Sequence, residues 1–248
     1  MQKNYKLLLL LYGLLCTFPL QAQNDSIHPL NEYIEDKAFI LKYVPFTLFE
    51  YLSNTVELGL EYKFDKNKSF QTQIGFGTHH ISPYGKANFN GYWTFRWRNE
   101  FRFYFKHAKP EKHPYWAIEL AYKRAHFYDD GFLGRNCDNG DCEYSIWTPY
   151  QYKKNVIMLN FKLGRQKMYT KRFLLEAYYG IGFKYIFTKV PQLEKGDDRL
   201  DAGGGFNDVF VPLVFTLLDE GRTVAPGHFL VPNITLGLKL GTVLGKKM

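Results

Sequence analysis

From Tyr92 to Lys106 the chain reads YWTFRWRNEFRFYFK, and its side chains alternate. Trp93, Phe95, Trp97, Phe101, Phe103 and Phe105 fall on one parity, and Thr94, Arg96, Arg98, Glu100, Arg102 and Lys106 on the other. A period of two is the signature of a β-strand with an oily face and a charged face. So many bulky rings overfill a narrow barrel, and Arg and Glu enter a dry core only as pairs. A transmembrane β-barrel, apolar outward and polar inward, satisfies both faces at once.

The same pattern recurs along the chain. Val56, Leu58, Leu60, Tyr62 and Phe64 oppose Glu57, Gly59, Glu61 and Lys63, a polar turn follows at 65–68, and Phe70, Ile74 and Phe76 then oppose Gln71, Gln73, Gly75 and Gly77. That is a hairpin. Tyr115 to Phe127 sets Trp116, Ile118, Leu120 and Tyr122 against Ala117, Glu119, Ala121 and Lys123. Tyr152 to Gly164 sets Ile157, Leu159, Phe161 and Leu163 against Lys154, Met158, Asn160 and Lys162, and Arg172 to Phe187 carries Glu176, Gly180, Gly182 and Lys184 on its polar face. Phe229 to Leu244 closes the series with Asn233, Thr235, Gly237, Lys239 and Gly241 opposite five aliphatic positions.

Seven strands emerge, with short connections at 65–68, 107–114 and 165–171 and longer ones at 79–90, 128–151 and 188–228. Bacterial barrels have short periplasmic turns, long external loops and an even strand number, so residues 38–50, AFILKYVPFTLFE, supply the missing strand, with Pro45 at a rim or bulge. The expectation is an all-β, eight-stranded, antiparallel up-and-down transmembrane barrel. A soluble cup with an apolar interior also alternates. Two features favour the membrane: glycine falls mainly on the polar face, where a crowded small lumen uses it, while Phe, Trp, Tyr and Leu share the other.

The N-terminus adds a location. Lys3 and Lys6 precede the apolar run Leu7 to Leu15, and Ala22 suits a cleavage site, so residues 1–22 read as a secretory signal peptide. Residues 23–37 then form a periplasmic tail and 38–248 the barrel. Cys16 is preceded by Leu15, a poor fit to a lipoprotein signal. Cleavage takes Lys3, Lys6 and Cys16 away, lowering the formal charge from +8 to +6 and leaving Cys137 and Cys142. An even pair in an exported chain points to a disulfide, here bracketing Asp138-Asn139-Gly140-Asp141 in an external loop. The basic residues sit on alternating strand positions and form no patch, which argues against nucleic acid.

With its leader, the hairpin VELGLEYKFDKNKSFQTQIGFG and the closing PNITLGLKLG, the chain resembles small outer-membrane β-barrels of the OmpA/OmpX type. The resemblance covers most of residues 38–244. It implies the outer membrane of a Gram-negative bacterium, contact with outer-membrane lipid and lipopolysaccharide, insertion by the outer-membrane assembly machinery, and no cofactor. Such barrels end on an aromatic residue; this chain ends Lys246-Lys247-Met248.

Three sets of residues are candidates for chemistry. Glu57, Glu61, Glu100, Glu119 and Glu176 face inward with Arg96, Arg98, Arg102, Lys123, Lys162, Lys184 and Lys239. In a low-dielectric lumen they pair and plug the barrel; the excess of cations leaves open a small anion-selective channel. His79-His80-Ile81-Ser82 resembles, in its His-x-Ser piece, the lipid A 3-O-deacylase family, which implies His80 as base and Ser82 as nucleophile; Pro83 departs from that pattern and Glu100 is the nearest downstream acid. Neither the paired histidines nor Asp138, Asp141 and Glu143 show the ligand spacing of a metal site. Residues 188–228 hold Gly203-Gly204-Gly205 and an apolar stretch, Val209 to Leu218, with the character of a binding surface or of a segment folded over the barrel mouth. The expected role is non-catalytic: envelope structure or surface binding through the external loops.

Overall fold

In a computed structural model, residues 37–45, 47, 55–78, 91–105, 112–138, 141–170, 172–191, 199–201 and 227–244 are described. They form β1 (Ala38–Val44), β2 (Val56–Asp65), β3 (Lys68–Thr78), β4 (Trp93–Tyr104), β5 (Lys112–Asp138), β6 (Asp141–Met168), β7 (Phe173–Lys189), β8 (Arg199–Asp201) and β9 (Gly227–Leu244). Every pairing is antiparallel. β1 to β7 pair in chain order, β7 pairs with β9, and β9 returns to β1, closing a ring of eight strands. The short β8 lies outside the ring on β5, where Arg199 to Asp201 pair with Gly134 to Phe132.

The register fixes the width of the ring. Followed from strand to strand, Lys42 leads through Gly59, Gln73, Arg98, Ala121, Met158 and Lys184 to Val231, yet β1 pairs Lys42 with Gly241, ten residues farther along β9. A stagger of ten over eight strands tilts them by about 40° and leaves a bore that side chains fill.

The two faces are inverted relative to a water-soluble core. The alternating apolar residues point out, with Ile181 67% and Leu230 69% exposed, while the charged parity points in and is buried. Along the middle of the wall the outward residues are uncharged, with Leu58, Leu60, Leu120, Leu159 and Ile181 beside Trp97 and Phe161. Phe39, Tyr62, Phe64, Phe103 and Trp116 gather toward the turns, with Phe103 stacked on Trp116 at 4.1 Å, and Trp93, Phe95, Phe76, Tyr185 and Phe187 toward the other end. Among the described ring residues, outward charges are confined to the two ends: Lys68, Arg165 and Lys167 with the 65–68 turn, and Arg124, Lys153 and Lys189 opposite them.

Several boundaries differ from the sequence expectation. β1 stops at Val44, and Pro45 stands just past it, since proline has no N–H to give a ladder. Residues 128–151 are not a loop: β5 and β6 continue as a paired hairpin from Tyr128–Gln151 to the Cys137–Cys142 pair, held by Phe132 packed edge-on to Trp147 at 4.8 Å. Of the loop residues that sequence chemistry marks out, Asp138 and Asp141 are the last pair of this hairpin. This hairpin runs twelve residues beyond His126, the last position paired to β4, or about 40 Å. Segment 188–228 likewise contains β8. Residues 1–36, 79–90 and 202–226, including the expected leader, most of the expected tail and Val209 to Leu218, lie outside the described residues.

Candidate functional site: the charged barrel interior

The lumen is assembled by parity, each ring strand sending every second side chain inward. Glu57, Glu61, Arg96, Arg98, Glu100, Arg102, Glu119, Lys123, Lys162, Glu176, Lys184 and Lys239 are all buried there. So is Lys42, the sole charged residue of β1, which the sequence reading passed over because AFILKYV is too apolar to show a clean alternation.

Near the turns these side chains form a closed network. Arg102 grips Glu176 with both Nη atoms at 2.9 Å, reaches Glu61 with Nη1 at 3.1 Å, and binds Glu100 through Nε at 2.9 Å and through Nη2. Lys42 binds Glu61 and Glu176 and donates to Gln71 at 3.0 Å. Lys239 reaches Glu100 at 2.6 Å and Glu176 at 3.4 Å, and Lys162 reaches Glu100 at 3.0 Å and also Glu119. Amides and phenols take the remaining lone pairs. Gln166 donates to Glu61 and Glu176, Asn160 to Glu119, Tyr104 to Glu61, and Tyr115 to Glu176 at 2.6 Å. Four carboxylates thus meet four cations, and all eight ring strands contribute a member. Buried ions that keep partners at every site avoid the penalty of an orphaned charge.

Three tyrosines correct the expectation that Tyr belongs on the outer face. Tyr104, Tyr115 and Tyr178 point inward. The Tyr115 ring lies under the Arg102 guanidinium at 4.5 Å, and Tyr178 receives Lys162 at 4.5 Å and Lys239 at 4.6 Å, both within cation–π range. Each ring also covers a cross-strand glycine: Tyr115 faces Gly164, and Tyr178 faces Gly237. A Cβ at Gly237 would meet the Tyr178 hydroxyl at 2.6 Å, and one at Gly164 would overlap the Tyr115 ring. Their signal in the sequence was parity, since Tyr104 follows Arg102 at a spacing of two. Below the network, Ile40, Met168, Leu174 and Val243 make an apolar floor.

Toward the hairpin end the proportions change. Glu57 binds Arg96 at 2.9 Å and lies 3.8 Å from Arg98, and Lys123, Lys154 and Lys184 are buried farther up β5, β6 and β7. Among the described residues Glu57 is the sole buried carboxylate of this half. Ala121, Val156, Met158 and Ile186 form an apolar cluster beside it.

The other candidate residues are placed less fully. Cys137 and Cys142 are cross-strand partners joined by a disulfide at the hairpin tip. Asn136 adopts a positive φ of 49° there and donates to Glu143 at 2.7 Å. His80 and Ser82 lie outside the described residues. Among the described residues no three His, Cys, Asp or Glu side chains group as metal ligands.

No family model matches the chain, and no curated protein matches it. Among solved structures, the N-terminal β-barrel domain of Pseudomonas aeruginosa OprF is similar at 10% identity, over 84% of this chain and 98% of that one, with a TM-score of 0.38. A likeness so distant carries no residue-level information, and the chain is described by its own geometry: an eight-stranded antiparallel barrel with an ionic interior and an apolar wall.

Proposed function

We propose that this chain is a non-catalytic outer-membrane barrel of a Gram-negative cell, sealed through its lumen and active through what it presents outside. One observation carries the reading: the wall is apolar and uncharged between its two ends, while the charges are inside. Water would penalise that wall by roughly 25 cal/mol for each Å² of apolar surface, whereas lipid covers it. A closed ring also leaves no unpaired strand edge in hydrocarbon. β1 begins and β9 finishes at the end with the short turns, so the long hairpin belongs to the opposite, external side. The ion network crossing the bore favours a plug over a channel. Work is left to the outer surfaces, chiefly the disulfide-tipped hairpin and β8, for structural contact or ligand capture.

The test is the full chain carrying an epitope between Asn139 and Gly140, expressed in a Gram-negative host. Antibody labelling of intact cells, with a heat-modifiable band in the outer-membrane fraction, is the expected result. An epitope reached only after lysis overturns the placement. Lipid A that loses an acyl chain on expression of this protein, but not of Ser82→Ala, overturns the non-catalytic half.

A further inference from the structure

At the hairpin end of the wall, outward-facing cations gather on three neighbouring strands. His126, Lys153 and Lys189 are successive cross-strand partners on β5, β6 and β7, and Arg124 lies one outward position below His126, level with Asn155 and Phe187. Aromatic rings hold two of the cations: Arg124 stands over Trp93 at 5.7 Å and Lys189 over Phe187 at 4.9 Å. His228 packs on Phe187 at 4.6 Å and shares a hydrogen bond with Tyr185, extending the patch onto β9. Among the described residues no carboxylate forms an ion pair with Arg124, Lys153 or Lys189. The three span two strand spacings, about 10 Å. Immediately below them the wall turns apolar at Ile157, Leu159, Ile181 and Phe183.

We infer that this patch is a binding site for the phosphorylated headgroup of an outer-leaflet glycolipid. The inference rests on the membrane placement proposed above. Apolar wall below and cations above are complementary to an anionic amphiphile whose chains run down the barrel and whose phosphate sits at its headgroup. Guanidinium and ammonium groups donate charge-assisted hydrogen bonds to phosphate oxygens, and the ring contacts pre-position Arg124 and Lys189 to do so. A soluble anion would gain only the charges; a lipid gains charges and wall together.

The test uses the full chain in detergent, with native mass spectrometry reading retained lipid. The probes are phosphorylated lipid A, its dephosphorylated form and inorganic phosphate, and the variant is R124Q/K153Q/K189Q. Wild type retains the phosphorylated lipid, and the variant loses at least about ten-fold in affinity for it, as expected for several charge-assisted contacts. The dephosphorylated lipid binds both proteins alike. R165Q/K167Q, at the opposite end, retains the phosphorylated lipid as wild type does. Equal retention of phosphorylated lipid A by wild type and R124Q/K153Q/K189Q overturns the site. Inorganic phosphate displacing the lipid from wild type at equal concentration overturns the lipid as its ligand. A heat-modifiable band from each variant reports the barrel itself, and epitope labelling of intact cells reports its placement, so failure of the membrane reading and failure of the site are told apart.

Discussion

The lumen has two halves built from the same residue types on the same strands, and they differ in balance. On β4, Glu100 and Arg102 lie toward the turns and Arg96 and Arg98 toward the hairpin; on β5 and β7, Glu119 and Glu176 lie below Lys123 and Lys184. The lower half joins four carboxylates and four cations in one network, with Lys63 beside it over the Tyr104 ring at 5.2 Å. The upper half sets Glu57 among Arg96, Arg98, Lys123, Lys154 and Lys184. A matched, hydrogen-bonded network is a structural knot that fails when one member leaves, because each remaining ion is then buried without its partner. Lys184, buried in the cationic half, holds no place in that network. Charge in a barrel interior is therefore not one feature: the lower half holds the ring together, and the upper half sets its potential.

The largest expected effect comes from Arg102→Met. It strips Glu61, Glu100 and Glu176 of a shared cation and costs about 3–5 kcal/mol, read as a lowered urea midpoint of the heat-modifiable band. An unchanged midpoint would show that the lower network is not a knot. Next is a matched pair: Lys239→Met, in the network, loses about 2–4 kcal/mol, while Lys184→Met, in the cationic half, changes stability by less than about 1 kcal/mol. Equal losses would erase the distinction between the halves. Planar-bilayer recordings sharpen it further: no measurable current is expected of the wild-type barrel, and replacing Arg102, Lys162 and Lys239 with alanine leaves Glu61, Glu100, Glu119 and Glu176 with Lys42 as their network cation, for which the expected result is a cation-preferring leak. The smallest effect on the ring belongs to Cys137→Ser/Cys142→Ser. The barrel's urea midpoint stays in place and proteolysis of the hairpin quickens, since the disulfide closes only a short segment far from the lumen.

Parity makes much of this legible in the sequence. Twelve charged residues were assigned inward from alternation alone, and the structure buries them all, because a strand whose outer face must be apolar has only one place for its charges. Who pairs with whom was not legible. Arg102 meets Glu176, seventy-four residues away, only because the ring closes with a stagger of ten, and no local pattern encodes that offset. Lys42 was missed because one lysine in seven apolar-rich residues makes no period, and Tyr115 and Tyr178 because residue type was allowed to outrank position. The hairpin was read as a loop since Asp129-Asp130-Gly131 and Gly134 interrupt the hydrophobic alternation, yet they remain paired to β6. In a projecting ribbon with no core beneath it, backbone pairing persists without the binary pattern that packing imposes.

The alternation has a last consequence, for how such a chain reaches its place. Arg96, Arg98, Glu100 and Arg102 leave no segment of β4 oily enough to lodge in a bilayer as a helix, and no single strand is soluble in lipid alone, because its amides lack partners. Only when the eight strands have found one another do the charges have company and the wall present a continuous oily surface. On the proposed membrane placement, pairing and insertion are then a single event, and the partially assembled sheet has no comfortable home on either side of the interface.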